Sequence, residues 1–389
     1  DANIFARDSR FNQTFLDAFK EVRANLPATG SALPAGYSNA LLNALMQPHS
    51  NRLANESGTQ AFARLFESAI RLNSVGAVAS TLASRIQNNV PIHVTAGFAP
   101  TFFRAYPQFA TMNVLDSNDI STYHAFEAQI KRRFRSGIGM QVSYTWAKSL
   151  DTRSFDPAFT TVATGNAQSG SSTPFNLNNR RLNYAPSDFD RRHSLQANFV
   201  YELPFGKGKA LFSNANGVVD RIIGGWDISG VYALQSGRPF TVFSGSNTFG
   251  STNQSPASCN GCKKGLGEAF FDPSGGTTFF FDAATRGTTF NAANNTRGIF
   301  FVPEAGTLGN TGRNFFNGPR SYDLDVSFAK RTRIVENHTL TFRADLQNIT
   351  NTPVLSFPTA TITDATFGRI RTGVQNSARR VQFALKYNF

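Results

Sequence analysis

Seven stretches of the chain alternate apolar and polar side chains with a period of two. In the last of them Val381, Phe383, Leu385, Tyr387 and Phe389 alternate with Arg380, Gln382, Ala384, Lys386 and Asn388. Earlier runs repeat the pattern on Phe126, Ala128, Ile130 and Phe134, and on Ile138, Met140, Val142, Tyr144 and Trp146. Others carry Leu195, Ala197, Phe199, Tyr201 and Leu203; Trp226, Ile228, Tyr232 and Leu234; Tyr322, Leu324, Val326 and Phe328; and Leu340, Phe342, Ala344 and Leu346. Strict alternation predicts strands with one apolar and one polar face. They are predicted over 122–135, 138–149, 193–203, 225–236, 321–333, 338–348 and 379–389. Each run is near the ~9–11 residues that a tilted strand needs to cross a bilayer. A single such strand fits a soluble sandwich equally well; the recurrence favours a barrel wall with lipid outside and polar groups inside.

The connections alternate in length as well. Ser136 and Gly137 join the first pair and Val335–Asn337 the pair before the last, whereas 150–191, 244–320 and 349–378 are long and polar. Membrane barrels pair tight periplasmic turns with long outer loops. With the C-terminus periplasmic, all three long connections fall outside and both tight turns inside. The link from Pro204 to Gly225 then also falls inside, with a short helical turn at Asp220-Arg221-Ile222-Ile223. The expected fold is all-β, an antiparallel transmembrane β-barrel with about eight strands visible.

Residues 1–90 follow another period. Phe11, Phe15, Leu16, Phe19 and Val22 keep helical spacing, as do Phe62, Leu65, Phe66, Ala69, Ile70 and Leu72. Ser9 or Asn12 could cap the first helix, and Pro27, Pro34 and Pro48 divide the stretch. We expect amphipathic helices in a large ordered loop or insertion over 1–90, with a separate small helical domain as the alternative, and the barrel part over 91–389. Ile92, Val94, Ala96 and Phe98 suggest a further strand.

Composition adds constraints. The chain has 389 residues, 40% of them hydrophobic, and a mean hydropathy of −0.26. No run of about 18 apolar residues exists, so helical spans are not expected. Aromatic content is 13%, with 38 Phe. The sequence starts at Asp1 without Met, which suggests a processed chain or a fragment. The net charge of +13 would ordinarily raise nucleic-acid binding. Here the basic residues sit at strand ends, as Lys131, Arg132, Arg133, Arg135, Lys330, Arg331 and Arg333 on one side and Arg191, Arg192, Arg379 and Arg380 on the other. Charges flanking an apolar band suit lipid phosphates, including those of lipopolysaccharide, and no nucleic acid is expected.

Catalytic patterns are missing. The five histidines are scattered without metal-ligand spacing, no nucleophile elbow or P-loop is present, and Gly206-Lys-Gly-Lys209 fits a turn. Asp188 and Asp190, beside Arg191, Arg192 and His193, read as a salt-bridged rim rather than an acid–base pair. We expect no enzyme, no metal and no cofactor. Cys259 and Cys262 enclose Asn260-Gly261. One Cys-x-x-Cys supplies only two of the ligands a zinc site needs. On an oxidising outer side a small disulfide is the simpler outcome, with metal binding and free thiols as the alternatives.

Several segments in order carry a family likeness. They are Gln141-Val-Ser-Tyr-Thr-Trp-Ala-Lys-Ser-Leu-Asp151, Ser187-Asp-Phe-Asp-Arg-Arg-His193, Tyr201-Glu-Leu-Pro-Phe-Gly-Lys-Gly208, Gly224-Gly-Trp-Asp-Ile-Ser-Gly230, Gln235-Ser-Gly-Arg-Pro-Phe240 and Asn348-Ile-Thr-Asn351. Over roughly 90–389 the chain resembles the C-terminal barrel region of TonB-dependent receptors, most closely the Oar-like branch with a carboxypeptidase-regulatory-like domain. The helical stretch is similar to an insertion in that branch. Family members have about twenty-two strands, a plug domain and a TonB box, and this chain has about eight strands and neither of the others.

The resemblance implies TonB-dependent uptake of a large scarce ligand, such as a glycan, peptide or metal chelate, across the bacterial outer membrane. It implies TonB and a plug domain as partners. The chain's end resembles the signal strand read by the barrel-insertion machinery, with Tyr387 and Phe389 as the assembly signal. Candidate ligand contacts are Arg153, Phe155, Phe159, Asn178, Arg180 and Tyr184 in the first long loop, and Phe249, Phe279, Phe280, Phe281, Phe300, Phe301 and Arg313 in the second. Aromatics beside amides and arginine suit sugar or peptide faces; alternatively, the Phe clusters pack the loops on themselves. A different class of function is structural or adhesive, as one of several outer-membrane subunits in a surface assembly.

Overall fold

The structure is a computed structural model and describes residues 2–109, 117–154, 174–176, 178–250, 254–335, 338–370, 376 and 378–389. Its centre is one antiparallel sheet. The strands are β1 (Ser121–Arg135), β2 (Ile138–Asp151), β3 (Ala185–Pro186), β4 (His193–Glu202), β5 (Trp226–Gln235), β6 (Ser321–Val335), β7 (His338–Gln347) and β8 (Arg380–Asn388). Their order is β8-β7-β6-β5-β4-β2-β1, with the two-residue β3 also paired to β2. The seven long strands match the predicted runs to within two residues at each end. β1 and β8 are the edges and do not pair with each other, so the sheet is open.

Register sorts the side chains. One rung runs through Phe199, Gly230, Val326, Leu346 and Val381, and the neighbouring rung through Val200, Ser229, Ser327, Asp345 and Gln382. The first belongs to a continuous apolar face, the second to a polar one. The Phe199 ring covers Gly230, where an added Cβ would come within 2.8 Å of its carbons. Among the described residues nothing covers the apolar face: Phe126 is 59% exposed, Ile130 64% and Phe383 67%. The polar face is cross-linked instead, by Ser327 Oγ donating to Asp345 Oδ1 at 2.6 Å and by an Arg343–Asp345 pair at 2.8 Å. A soluble sheet buries its apolar face, whereas here that face carries large exposed side chains, as the wall of a membrane barrel does.

Ser136 and Gly137 close the β1–β2 hairpin with φ of 55° and 80°. Two positive-φ residues form the primed turn that matches strand twist. A bulge between Arg132 and Arg135 precedes it. The β6–β7 turn lies outside the described residues. All three long connections leave from the opposite end of the sheet. The β4–β5 link carries α6 (Gly217–Ile223), capped by the Asn216 side chain, where the short helical turn was expected.

The N-terminal part forms α1 (Phe15–Asn25), α2 (Ala40–Met46), α3 (Gly58–Arg71), α4 (Val75–Ser84) and α5 (Ile92–Thr95). α1 is capped by Thr14 in a capping box with Asp17, and not by Ser9 or Asn12. α5 replaces the strand expected at Ile92–Phe98. Ile92 and His93 are buried side by side, which a two-faced strand does not allow. Phe15, Phe19, Leu41, Leu42, Leu45, Phe62 and Phe103 are wholly buried in one cluster. The second long loop contributes Ala305 to the same cluster. α4 rests directly on that loop: Gly76 N donates to Asn247 O at 2.9 Å, and a Cβ on Gly76 would meet the Gly250 carbonyl at 2.2 Å.

Candidate functional site

The three long connections pack into one layer at one end of the sheet. Phe240, Phe280, Phe281, Phe300, Phe316 and Phe367 form its apolar centre. Phe281 alone touches all five of the others at ring distances of 5.1–6.3 Å. Short pairings stitch the layer, joining Pro239–Phe240 to Phe316–Asn317 and Ser258–Cys259 to Phe300–Phe301. Cys259 and Cys262 are joined as a disulfide, with Cys259 buried in the same centre. Cys259 also exchanges two hydrogen bonds with the Asn310 side chain, at 2.9 and 3.0 Å.

Two buried arginines hold the loops together. Arg297 of the second loop donates to the carbonyls of Ile362, Asp364 and Ala365 in the third and stacks 5.4 Å from the Phe367 ring centre. Burial, and next the charge of Arg286, pull this guanidinium below its ordinary value. Arg313 binds the first loop. It reaches Asp151 Oδ1 at 2.6 Å, Ser154 Oγ at 2.7 Å and Asp188 Oδ1 at 3.0 Å, with its side chain fully out of solvent. Asn314 adds a bond to Asp188 Oδ1 at 2.6 Å. The salt-bridged rim expected at Asp188 thus exists, but its partner is Arg313 rather than Arg191, Arg192 or His193.

Clefts open between these parts. One of about 860 Å³ lies between the second loop and the start of β6, lined among others by Phe270, Asp282, Arg320, Tyr322 and Thr352. A second, of about 510 Å³, separates α3 from the loop layer at Arg64, Arg71 and Phe290. A small pocket of about 30 Å³ is lined by Arg191, Arg238, Ser321, Ser356 and Phe357. Arg191 donates to the Ser236 carbonyl at 2.8 Å, and Arg238 lies over the Phe357 ring at 5.1 Å. Burial, and after it the neighbouring Arg238, pull the Arg191 guanidinium below its ordinary value.

The residues picked out as ligand contacts divide. Arg153 and Asn178 are exposed. Arg180 is half-buried and faces Asp119 at 3.5 Å, and the exposed Tyr184 places its hydroxyl 3.0 Å from Thr122 Oγ1. These four remain on the surface of the first loop. Phe279 is half-buried beneath Arg286, 3.8 Å from its ring centre. Phe280, Phe281, Phe300 and Arg313 are buried inside the layer, as in the alternative of loops packed on themselves, and Phe280 also lines the 860 Å³ cleft. Phe249 packs edge-on to Phe5 of the helical part at 6.1 Å, and Phe301 is partly buried in its short strand. Phe155 and Phe159 lie outside the described residues. Arg191 and Arg238 stand in the Ser187–His193 and Gln235–Phe240 segments, where no local pattern marks them as contacts.

Tyr387 sits at the turn end of the apolar face, its hydroxyl 2.6 Å from His338 Nδ1, and Phe389 is 89% exposed beside it. Tyr144 and His193 repeat the pairing at 2.8 Å toward the loop end. Lys330 stands 5.1 Å over Trp226 at the turn end. Aromatic and basic residues therefore bracket the apolar face at both ends, as interfacial girdles do. Among the described residues no helix is long and apolar enough to cross a membrane.

Comparison with curated proteins and with solved structures returned no match. A family model described as an outer membrane beta barrel domain matches residues 18–382. The uncovered apolar face, the polar opposite face and the bracketing aromatics are what such a domain requires, and the chain belongs to the outer membrane β-barrel domain family.

Proposed function

We propose that this outer-membrane chain forms wall and outer loops of a TonB-dependent receptor that takes up a large scarce ligand, a glycan, peptide or metal chelate. The observation that carries the reading is the loop layer. Three long connections and five helices converge at one end of the sheet into a packed body with clefts of about 860 and 510 Å³, the size range of ligand sites. A body held by two buried arginines and a Phe centre is preorganised, which lowers the ordering cost of binding. In this reading the long loops face outward and the C-terminus faces the periplasm. TonB and a plug domain supply the energy coupling, the insertion machinery reads Tyr387 and Phe389, and lipid and lipopolysaccharide contact the apolar face. The exposed Arg153, Asn178, Arg180 and Tyr184 form the entry rim.

A second reading rests on β1. All 15 of its residues are exposed and among the described residues its outer edge is unpaired, so in this reading the chain serves as a structural or adhesive subunit joined to other outer-membrane proteins along that edge. Whole-cell uptake separates the two. Cells lacking the gene, and cells with disrupted TonB, are tested with labelled oligosaccharides, oligopeptides and ferric chelates. Loss of uptake of one class in both strains supports the receptor. Unchanged uptake of all three, together with impaired surface attachment, supports the structural subunit.

A further inference from the structure

We propose that Arg191 and Arg238, with the Ser321 and Ser356 hydroxyls, form a binding site for one oxyanion, the carboxylate or phosphate head of a larger molecule, at the loop end of β5 and β6. Two guanidinium groups line the same small pocket. Like charges brought together repel, and the repulsion grows as burial lowers the effective dielectric. A fold tolerates such a pair when a counter-charge joins them. Among the described residues none does: Arg191 donates only to the Ser236 carbonyl, Arg238 rests on the Phe357 ring, and neither makes an ion pair. Arg313, Arg64 and Arg71 are each set against a carboxylate at 3.0 Å or less and the buried Arg297 against four backbone carbonyls, whereas Arg191 has one carbonyl and Arg238 a ring face.

The geometry suits an oxyanion in particular. A guanidinium presents a planar fork of N–H donors that matches two oxygens of a carboxylate or phosphate. Ser321, at the start of β6, adds a hydroxyl from the sheet, and Phe357 supplies an apolar wall that holds Arg238 in place. The volume of about 30 Å³ admits about two water-sized positions, enough for a head group and not for a whole sugar or peptide. The bulk of the ligand must lie outside, and the 860 Å³ cleft adjoins through Pro319 and Leu355, which line both. The site does not depend on uptake, since a barrel that never transports would bind the anion equally well.

The test uses the full chain refolded in detergent micelles. Inorganic phosphate and acetate are titrated calorimetrically, and vesicles bearing a phosphomonoester lipid are tested by co-flotation. Arg191→Gln and Arg238→Gln should each weaken binding about tenfold, and Arg238→Lys should recover part of it. Phosphate should also protect Arg191 and Arg238 of the unaltered protein from phenylglyoxal, read by peptide mass mapping, which needs no variant to fold. Binding of free phosphate or acetate identifies a soluble ligand's head group; binding of the vesicles alone identifies a lipid. Both uphold the site. No saturable binding of any probe, or binding that both Gln variants retain with the two arginines unprotected, overturns it.

Discussion

Arg313 Nη1 lies 2.6 Å from Asp151 Oδ1, across 162 residues of sequence, and both side chains are buried. Asp151 is the last residue of β2, so this contact fastens the second loop to the rim of the sheet. Removing one partner of a buried pair strands the other charge, at a cost of about 3–5 kcal/mol. Arg313→Ala should therefore expose the loop layer to limited proteolysis while the sheet still inserts. Arg313→Lys should rescue little, because one ammonium cannot reproduce the fork that reaches Asp151, Ser154 and Asp188 together. Proteolytic mapping of the variant in outer-membrane fractions checks both outcomes.

The two faces of β8 should respond oppositely to charge. Phe383 stands on the apolar face, paired with Ala344 and stacked 6.0 Å from Phe342. Phe383→Arg should cost about 2–4 kcal/mol in reversible unfolding from lipid vesicles. Gln382→Arg, one residue away on the polar face, should change stability by less than about 1 kcal/mol.

This contrast explains how much of the fold was legible from the sequence. A wall wetted on one side and greased on the other imposes a strict period of two, and β1 to β8 apart from β3 stood out residue by residue. The loop layer did not. Its order depends on contacts such as Arg297 to Ile362 O, 65 positions apart, and on pairings only two residues long, neither of which leaves a local period. Phe280 and Phe281 looked like ligand contacts because aromatic clusters in polar loops signal either a surface or a small core, and sequence cannot tell which. The alternation at Ile92–Phe98 misled for a related reason: four apolar positions two apart also fit a short helix followed by a turn into a core. Arg191 and Arg238 lie in separate segments of the sequence, and only the tertiary fold brings them to one pocket.

Acid should loosen the helical part first. His93 is buried, its Nε2 set 3.2 Å from the Pro100 carbonyl and its Nδ1 without a partner. Burial holds His93 below its ordinary 6.5, and burial followed by Arg85 and Arg64 does the same for His49. The folded state then resists protonation, and the unfolded part takes up protons first. Stability is complete above about pH 6.5 and falls as the pH drops through 6.5 toward the lowered folded values. Hydrogen exchange at pH 7.5 and pH 5 should show the helices opening before the sheet, and His93→Gln should flatten that pH dependence.

The disulfide should act locally. It closes a loop of very few residues, so its entropic effect on global stability is small. With Cys259 buried and Lys263 and Lys264 exposed just beyond, a double Cys→Ser variant should insert normally but be cut faster by trypsin after those lysines. Equal cutting rates with and without the bridge would contradict this role.

The central claim is that one face of the sheet meets lipid and the other water, and an accessibility scan along β7 tests it most directly. Single cysteines at each position from Leu340 to Leu346, in a Cys259→Ser, Cys262→Ser background, are spin-labelled in native outer membranes. Collision with oxygen and with a water-soluble nickel chelate is then compared. The account predicts alternation, with Leu340, Phe342, Ala344 and Leu346 reached by oxygen and Thr341, Arg343 and Asp345 by the chelate. A scan without alternation, or with the two sets exchanged, would contradict it.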